Sequence, residues 1–201
     1  MLHIVIATRN HHKFRELKGL LRVRGIRWHS LEEFPRVREV KETGRTFETN
    51  AKQKAVGVAR ATGCVVLADD SGLEVDALRG APGVRSARFA GRHGDDQANN
   101  RKLLRLLGQR PLVPRRARYR CVLALADPRR VLSTVQGTWG GTIALRPAGA
   151  QGFGYDPVFL VPRFGKTVGQ LPFHVKQRLS HRAAAARRMS AVLRRLSAAS
   201  R

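Results

Sequence analysis

The chain has 201 residues, and 42% of them are hydrophobic, which is enough for the core of one domain with one or two lobes. It has 39 Lys and Arg residues against 14 acidic ones, and the net charge of +25 implies an affinity for phosphorylated small molecules, nucleic acid or anionic lipid. Cys64 and Cys121 lie in apolar runs, which argues against a disulfide or metal framework, and the opening MLHIVIAT is too short for a signal peptide or a membrane span. We therefore expect a cytoplasmic protein with no membrane partner.

Hydrophobic periodicity predicts both strands and helices along the chain. In the first half of the chain, the predicted elements are a strand at Leu2 to Ala7, a helix from Asn10 to Gly25, a strand at Ile26 to His29, a helix at Glu48 to Thr62 capped by Thr46 and Gly63, and a strand at Val65 to Ala68. A helix from Asp95 or Asp96 to Gly108 and a connector at Gln109 to Arg116 follow. The remaining elements are strands at Ala117 to Leu125, Val131 to Gln136, Gly137 to Pro147 and Val158 to Val161, and helices at Gln170 to Leu179 and from Ser180 onward.

An adjacent acidic pair, Asp69 and Asp70, follows the third predicted strand. Because the run Val65 to Ala68 is short and β-branched, we expect the pair at the point where a strand ends and a loop begins, a place where ligands gather. Two neighbouring carboxylates repel each other, and a divalent metal such as Mg²⁺ would compensate them. The sequence Asp70-Ser71-Gly72 is equally compatible with an ordinary turn.

Cations stand in the first turns of two predicted helices, where the helix macrodipole disfavours them. Lys13 follows the cap Asn10, and His181 and Arg182 follow the cap Ser180. A bound phosphate would explain both placements. A solvated surface residue is the simpler interpretation of Lys13 taken alone.

A second loop, Gly149 to Pro157, has the parts of a base pocket. Phe153 offers a ring that can stack on a purine, the glycines allow close backbone approach, and Asp156 offers a hydrogen-bonding carboxylate. The alternative is a packed turn with Phe153 in the core.

Seven stretches, taken together and in this order, resemble the inosine triphosphate pyrophosphatase (Ham1-like) family. They are Ala7-Thr8-x-Asn10-x-x-Lys13-x-x-Glu16, Glu42-Thr43-Gly44-x-Thr46-Phe47, Asn50-Ala51-x-x-Lys54-Ala55, Ala68-Asp69-Asp70-Ser71-Gly72-Leu73, Gly80-Ala81-Pro82-Gly83-Val84-x-Ser86-Ala87-Arg88, Gly152-Phe153-Gly154-Tyr155-Asp156-Pro157 and Ser180-His181-Arg182. They span nearly the full length of the chain.

The resemblance implies Mg²⁺-dependent hydrolysis of deaminated purine nucleoside triphosphates (ITP, dITP, XTP, dXTP) to the monophosphate and pyrophosphate. It implies that Asp70, Asp69 and Lys54 are catalytic, with Asp70 as the general base, and that Glu42 and Asp70 hold the metal. The residues it implies for substrate binding are Thr8, Arg9, Asn10, His11, His12, Lys13, Ser71, Phe153, Gly154, Tyr155, Asp156, Lys176, His181 and Arg182.

The fold that the resemblance implies is a single two-lobed α/β domain over residues 1–201. It has a long, curved, mixed β-sheet, flanking helices and a central cleft between the lobes, and the family usually forms homodimers. Thr49 and Gln170 depart from the family pattern, in which many relatives have Glu, and this weakens a metal role for either position.

Two alternatives stay open. A Maf-like nucleotide pyrophosphatase has the same type of fold, although the opening Ala7-Thr8-x-Asn10 argues against it. The net charge also allows a nucleic-acid-binding protein, but the basic residues are dispersed and no recognition-helix pattern accompanies them, so we expect no nucleic-acid partner.

Overall fold

The computed structural model describes residues 1–108 and 114–199. Residues 109–113 of the predicted connector lie outside this description. Within it, the strands and α-helices are β1 (Leu2–Ile6), α1 (His11–Leu20), β2 (Ile26–Ser30), α2 (Phe47–Thr62), β3 (Val65–Val75), α3 (Asp96–Leu107), β4 (Arg116–Ala126), β5 (Val131–Ile143), β6 (Phe159–Val161), β7 (Lys166–Thr167), α4 (Phe173–Leu179) and α5 (His181–Ala199). No helix in these two ranges is long and apolar enough to cross a membrane.

The strands of the described residues form one mixed sheet in the order β2-β1-β3-β4-β5-β6-β7. Strand β1 is parallel to both β2 and β3, whereas β6 is antiparallel to β5 and β7. A parallel neighbour needs a crossover connection, and helices α1 and α2 supply it between β1, β2 and β3. The predicted α/β fold with a mixed sheet and accompanying helices is confirmed.

Local capping chemistry explains where the helices begin and end. The Asn10 side chain accepts a hydrogen bond from the Lys13 amide at the start of α1, and the Thr46 side chain caps α2 through the Thr49 amide. Helix α2 ends at Gly63, whose φ of 70° is easily reached only by a residue without a Cβ. The predicted caps of α1 and α2 are confirmed.

The chain divides into two compact units. Unit 1 comprises Met1–Asp70, Cys121–Gly137 and Arg182–Arg201, and unit 2 comprises Ser71–Arg120 and Thr138–His181. Each unit has its own core. Fully buried members of the unit 1 core are Ile4, Ile6, Leu17, Leu67, Leu123 and Met189, and buried members of the unit 2 core are Leu73, Val75, Leu103, Tyr119, Tyr155 and Phe159. Whether residues 1–201 form a single domain stays a prediction.

One prediction about the acidic pair is wrong. Strand β3 does not end at Ala68 but continues to Val75, so Asp69 and Asp70 lie inside it. The polar run that follows Ala68 hides the strand in the sequence, yet Leu73 and Val75 beyond it are fully buried and extend the strand into the core of unit 2. Strand β1 does end early, because the pairing of β1 with β3 stops at Leu67. The acidic pair therefore lies just past the carboxyl end of β1.

Other element boundaries also differ from the prediction. The runs Val131 to Gln136 and Gly137 to Pro147 belong largely to one strand, β5. The predicted helix from Gln170 to Leu179 begins only at Phe173, since Pro172 restricts the residue before it and supplies the cap position. The cysteines carry no disulfide, as predicted; Cys121 is fully buried, but Cys64 is only half-buried and is not a core residue.

We predict that Gly72→Ala destabilises the protein by about 1–3 kcal/mol, as overpacking does in close-packed sites. A methyl group on Gly72 would lie 2.3 Å from the Ser86 hydroxyl oxygen and 2.7 Å from the Gly83 carbonyl oxygen. The Ser86 hydroxyl has little freedom to retreat, because it bonds both the Gly83 carbonyl and the Leu73 amide. Urea denaturation measures the effect. Gly140→Ala in β5 is the matched control, since its methyl group would meet nothing within 4 Å; equal stability of the two variants would refute the prediction.

Candidate active site

In unit 1, Asp69 is a buried anion surrounded by cations. It is 1% exposed, and its Oδ2 lies 3.0 Å from Lys13 Nζ and 3.4 Å from Arg182 Nε. Its Oδ1 accepts a hydrogen bond from Cys121 Sγ at 3.1 Å. Burial alone would raise the pKa of Asp69, but Lys13 and Arg182 lower the pKa far below its usual range. Asp69 is therefore a permanent negative charge.

The first turn of α5 supplies one of these cations. Arg182 is 3% exposed, and its guanidinium donates to Glu16 Oε2 at 2.7 Å as well as contacting Asp69. Burial disfavours the charged guanidinium, but Asp69 and Glu16 outweigh it, so the pKa of Arg182 is raised. The expected phosphate is thus not needed to explain a cation at this helix N-terminus, because two buried carboxylates already neutralise it. Likewise, Lys13 in α1 is bound to Asp69 and is not a solvated surface residue.

The pKa of Asp70 is shifted in the opposite direction from that of Asp69. Asp70 is 7% exposed, and burial raises its pKa to about 6, with Glu42 adding to the rise and Lys13 and Lys54 opposing it. Within the described residues, its buried Oδ2 has no hydrogen-bond partner. A buried carboxylate with a free oxygen and a pKa near neutrality is suited to accept a proton or to bind a cation.

Helix α2 brings a lysine to this group. Lys54 forms an ion pair with Glu42 and donates to the backbone carbonyl of Asp69 at 3.1 Å. Burial would lower the pKa of Lys54, but Glu42 and then Asp70 raise it. One helical turn earlier, the buried Asn50 accepts from the Gly44 amide at 2.8 Å and so anchors the loop that carries Glu42.

Glu42 and Asp70 fit a hard divalent cation. Both offer carboxylate oxygens, Glu42 is close enough to raise the pKa of Asp70, and Asp70 Oδ2 is buried without a partner in the described part of the chain. Within residues 1–108 and 114–199, no cluster of three or more His, Cys, Asp or Glu side chains could hold a metal. Two carboxylates are the kind of oxygen ligand that a hard divalent cation takes, with water and phosphate oxygens completing its shell.

The loop from Thr8 to Lys13 starts at the carboxyl end of β1, beside β3. The Asn10 amide donates to Thr8 Oγ1 at 3.1 Å, and Arg9 donates to the Val37 carbonyl at 2.8 Å. His11 lies 3.4 Å from Glu32, and His12 is exposed. Among these predicted substrate-binding residues, Lys13 contacts the acidic pair through Asp69.

Unit 2 contains a second buried carboxylate network. Asp156 accepts hydrogen bonds from Lys176 Nζ at 2.6 Å, Tyr119 Oη at 3.0 Å and the Phe153 amide at 2.9 Å. The Tyr119 ring stacks on His181 with centroids 4.6 Å apart, and Lys176 Nζ lies 4.3 Å from the centre of the Phe153 ring. Phe153 itself is half-buried, so the alternative that places it in a packed core is wrong.

Tyr155, a predicted substrate-binding residue, is a core residue of unit 2. Its side chain is buried in the unit 2 core, and its hydroxyl donates to the Ser86 carbonyl at 2.9 Å. Any contact of Tyr155 with a substrate would therefore come from its backbone. Ser71 directly follows Asp70 in β3 and is half-buried.

The structure thus collects the predicted residues into two groups. Unit 1 brings together Lys13, Glu42, Lys54, Asp69, Asp70 and Arg182, and unit 2 brings together Phe153, Asp156, Lys176 and His181. Sequence reasoning gave no role to Glu16, Asn50 or Tyr119. Glu16 stands one helical turn after Lys13 and could have been found by that spacing, whereas Tyr119 is hidden in an alternating strand pattern.

The two departures from the family pattern serve in caps. Thr49 Oγ1 bonds Thr46 Oγ1 at 2.9 Å in the first turn of α2. Gln170 Oε1 accepts from the Thr167 amide at 3.0 Å and closes a capping box. Both residues therefore have structural contacts that need no metal.

The α/β fold and a buried carboxylate pair beside two lysines, just past the carboxyl end of β1, are typical of proteins that bind phosphorylated ligands. The description "Ham1 family" is that of the family model matching residues 4–192. The chain is 48% identical over 195 residues to a dITP/XTP pyrophosphatase of Desulforamulus reducens, with 97% of each chain covered. It is 46% identical over 193 residues to a dITP/XTP pyrophosphatase of Bacillus subtilis, which covers 96% of this chain and 98% of that one.

Solved structures agree with the sequence comparison. A HAM1 protein from Coxiella burnetii matches with a TM-score of 0.87 and 41% identity over 96% of this chain and 98% of that one. A nucleoside-triphosphatase, also named dITP/XTP pyrophosphatase, from Mycobacterium abscessus matches with a TM-score of 0.73 and 41% identity, covering 97% of this chain and 96% of that one. The chain belongs to the Ham1 family, and the resemblance seen in the sequence is confirmed.

We predict that Asp70→Asn stabilises the metal-free protein at pH 7.5 and not at pH 4. Folding raises the pKa of Asp70 from 3.8 to about 6, so the folded state holds this proton more tightly than the unfolded state. Unfolding free energy then falls as pH rises from about 4 to about 6, and above that the ionised side chain costs up to about 3 kcal/mol. The amide removes this cost. Urea denaturation in EDTA across this pH range measures it.

Asp69→Asn provides the contrast. Because Lys13 and Arg182 depend on the Asp69 carboxylate, this variant loses stability at pH 7.5. An Asp70→Asn protein that is less stable than the wild type at pH 7.5 would contradict the assignment of a buried, unfavourable charge to Asp70.

Proposed function

We propose that this protein hydrolyses deaminated purine nucleoside triphosphates, dITP and ITP or XTP and dXTP, to the monophosphate and pyrophosphate. In this role it removes deaminated purines from the nucleotide pool. The observation that carries the proposal is the unequal acidic pair: Asp69 is neutralised by cations, and Asp70 is left with a free buried oxygen and a pKa of about 6. The names of the relatives described above support the choice of substrate.

Asp70 is the proposed general base. Its carboxylate accepts the proton of a water molecule as the water oxygen attacks the α-phosphorus, and the bond from the α-phosphorus to the bridging oxygen breaks to release pyrophosphate. A pKa of about 6 leaves Asp70 ionised at neutral pH. This pKa is also close to neutral pH, as suits a group that accepts a proton during the reaction. Glu42 and Asp70 would hold Mg²⁺, which would supply charge neutralisation on the phosphate oxygens.

The neighbouring cations hold the triphosphate. Lys13 and Lys54 are partly exposed, with 20% and 19% of their side chains accessible, so each can offer an N–H to a phosphate oxygen while keeping its carboxylate partner. Asp69 and Glu16 form ion pairs with Arg182 and hold its guanidinium in place. Phosphoryl transfer needs this positioning and charge more than covalent help.

The unit 2 group is the proposed base site. Phe153 stacks on the purine, and Lys176 and His181 face its edge. Lys176 is 4% exposed and carries three N–H donors, and its ammonium bonds Asp156 Oδ2. A 6-oxo purine satisfies such a buried donor, whereas the amino group of adenine leaves it unpaired, which is how a polar site rejects a wrong base.

We further propose that the protein acts in the cytoplasm as a homodimer with purine nucleoside triphosphate as its ligand. The unpaired cysteines Cys64 and Cys121 agree with a reducing compartment. The dimer rests on the family resemblance, and light scattering coupled to gel filtration measures it.

We predict that pyrophosphate release from dITP, ITP and XTP exceeds that from ATP and dTTP by at least about 100-fold in kcat/KM, since an unpaired buried donor rejects a wrong base by that order or more. The reaction stops in EDTA and returns with added Mg²⁺. A phosphate-coupled assay of pyrophosphate over this panel measures it. ATP cleaved as fast as dITP would refute the proposal, and a preference for dTTP would favour the Maf-like alternative.

We predict that Asp70→Asn lowers kcat for dITP by about 100-fold or more, the usual loss when a general base is removed. The matched control is Asp76→Asn, which removes an exposed carboxylate from the same acidic stretch and leaves turnover unchanged. Circular dichroism confirms that both variants are folded. Near-normal turnover of Asp70→Asn would remove Asp70 from its role.

A further inference from the structure

Helix α3 holds the loop that carries the proposed base site through two hydrogen bonds to the backbone of Gly154. We propose that Asp96 and Asn100, here called the α3 clamp, are positioning residues that orient Phe153 for the purine and thereby set base selectivity. This inference rests on the proposed function and adds to it two residues that have no part in the chemistry. Both residues and the loop belong to unit 2.

The α3 clamp grips both backbone groups of Gly154. Asp96 Oδ2 accepts from the Gly154 N–H at 2.6 Å, and Asn100 Nδ2 donates to the Gly154 carbonyl at 2.9 Å. The two side chains are four residues apart in α3 and so lie on one face of the helix. The bond to the Asp96 carboxylate is charge-assisted, which makes it stronger than a neutral one.

Gly154 is the point at which such a grip has most effect. Its φ is +65°, in the left-handed region, and it connects Phe153 to Tyr155. Glycine adopts positive φ values about as readily as negative ones, so the residue type alone does not select this conformation. Hydrogen bonds to both its N–H and its carbonyl do select it, and they set the peptide planes on either side. The direction of the Phe153 ring follows from that choice.

The helix itself does not need the α3 clamp. Asp95 is the N-cap of α3 and accepts from the Ala98 amide at 2.9 Å. Asn99 accepts from the Ala90 amide at 2.7 Å and so ties α3 to the preceding loop. Each clamp residue therefore has a neighbour of the same type that stabilises the helix or its approach: Asp95 precedes Asp96, and Asn99 precedes Asn100. What remains for Asp96 and Asn100 is the contact with Gly154.

Asn100 keeps its orientation at a cost. It is 8% exposed, and its Oδ1 has no hydrogen-bond partner among residues 1–108 and 114–199. Turning the amide over would place Oδ1 against the Gly154 carbonyl oxygen, and two acceptors repel each other. A buried, unpaired acceptor is unfavourable, so the bond to Gly154 is the contact that keeps this side chain as it is.

The loop is held from within as well. Asp156 accepts from the Phe153 amide, and Lys176 lies over the Phe153 ring. These contacts fix the loop to Lys176, but they do not fix Gly154. Loss of the α3 clamp therefore frees the peptide next to Phe153, shifts the ring over which Lys176 Nζ lies, and so disturbs the donor proposed to distinguish a 6-oxo purine from adenine. The proposed catalytic side chains Asp70 and Lys54 belong to unit 1 and are unchanged by it.

The test measures kcat and KM for dITP and dATP with Asp96→Ala and Asn100→Ala. Each variant removes one hydrogen bond to the loop, and we expect KM for dITP to rise about tenfold with kcat within about twofold of the wild type. Activity on dATP, whose amino group gains nothing from the Lys176 donor, changes much less, so the dITP-to-dATP ratio of kcat/KM falls by up to about tenfold. Asp96→Asn, whose amide oxygen can still accept from Gly154, recovers most of the wild-type KM.

Two further variants serve as controls. Asp95→Asn makes the same change of charge one position earlier and retains a good N-cap residue, so it leaves KM and the ratio unchanged. Asn100→Asp keeps the shape of the side chain but replaces the donor with an acceptor, and it raises KM like Asn100→Ala. Thermal denaturation of each variant separates an unstable protein from a misplaced loop.

Three results would overturn the proposal: a fall in kcat at unchanged KM, an equal loss on dITP and dATP, or the same effect from Asp95→Asn. Failure of the proposed function has a different signature, because it is seen in the wild type as equal use of dITP and dATP. In that event the same variants are compared on whichever purine triphosphate the wild type uses best, and an unchanged KM would still overturn the role of the α3 clamp.

Discussion

The arrangement of unit 1 depends on the buried carboxylate of Asp69. An ion taken out of water costs several kcal/mol unless opposite charges and hydrogen bonds meet it. Lys13 of α1 and Arg182 of α5 meet this one, and Glu16 of α1 binds the far side of the Arg182 guanidinium. One charge network thereby joins strand β3 to helices α1 and α5. In it, two of the chain's many basic residues neutralise a buried carboxylate.

This network also sets the state of the neighbouring carboxylate. Lys13 and Arg182 contact Asp69, whereas Asp70 keeps a buried oxygen without a partner in the described part of the chain and has a pKa of about 6. Two adjacent acids with pKa values pushed apart allow one to stabilise charge and the other to move a proton. Unit 2 also contains a buried aspartate paired with a cation. Asp156 forms an ion pair with Lys176 and accepts a hydrogen bond from the Phe153 amide, which fixes the loop of Phe153. In each unit a buried aspartate bound to a buried cation positions the groups proposed to act on a substrate.

The division of labour along α3 follows the same reasoning at smaller scale. Asp95 and Asn99 satisfy the helix and its approach, and this leaves Asp96 and Asn100 to hold Gly154. Adjacent residues of the same type thus separate stability from the orientation of a binding loop. Such pairs are useful in any helix that borders a site, because one member provides a control for the other.

The sequence by itself determined the features that depend on neighbours along the chain: the order of strands and helices, the caps Asn10, Thr46 and Gly63, and the family motifs in register. Only the tertiary structure decided that β3 runs on through the acidic pair, that Tyr155 belongs to a core, and that Arg182 is bound to Glu16, 166 residues away. The physical reason is that caps and periodicity are local interactions, whereas burial and the pairing of charges depend on which distant residues meet. The pKa values of Asp69 and Asp70 are set by those meetings, and identical side chains next to each other in sequence therefore have opposite properties.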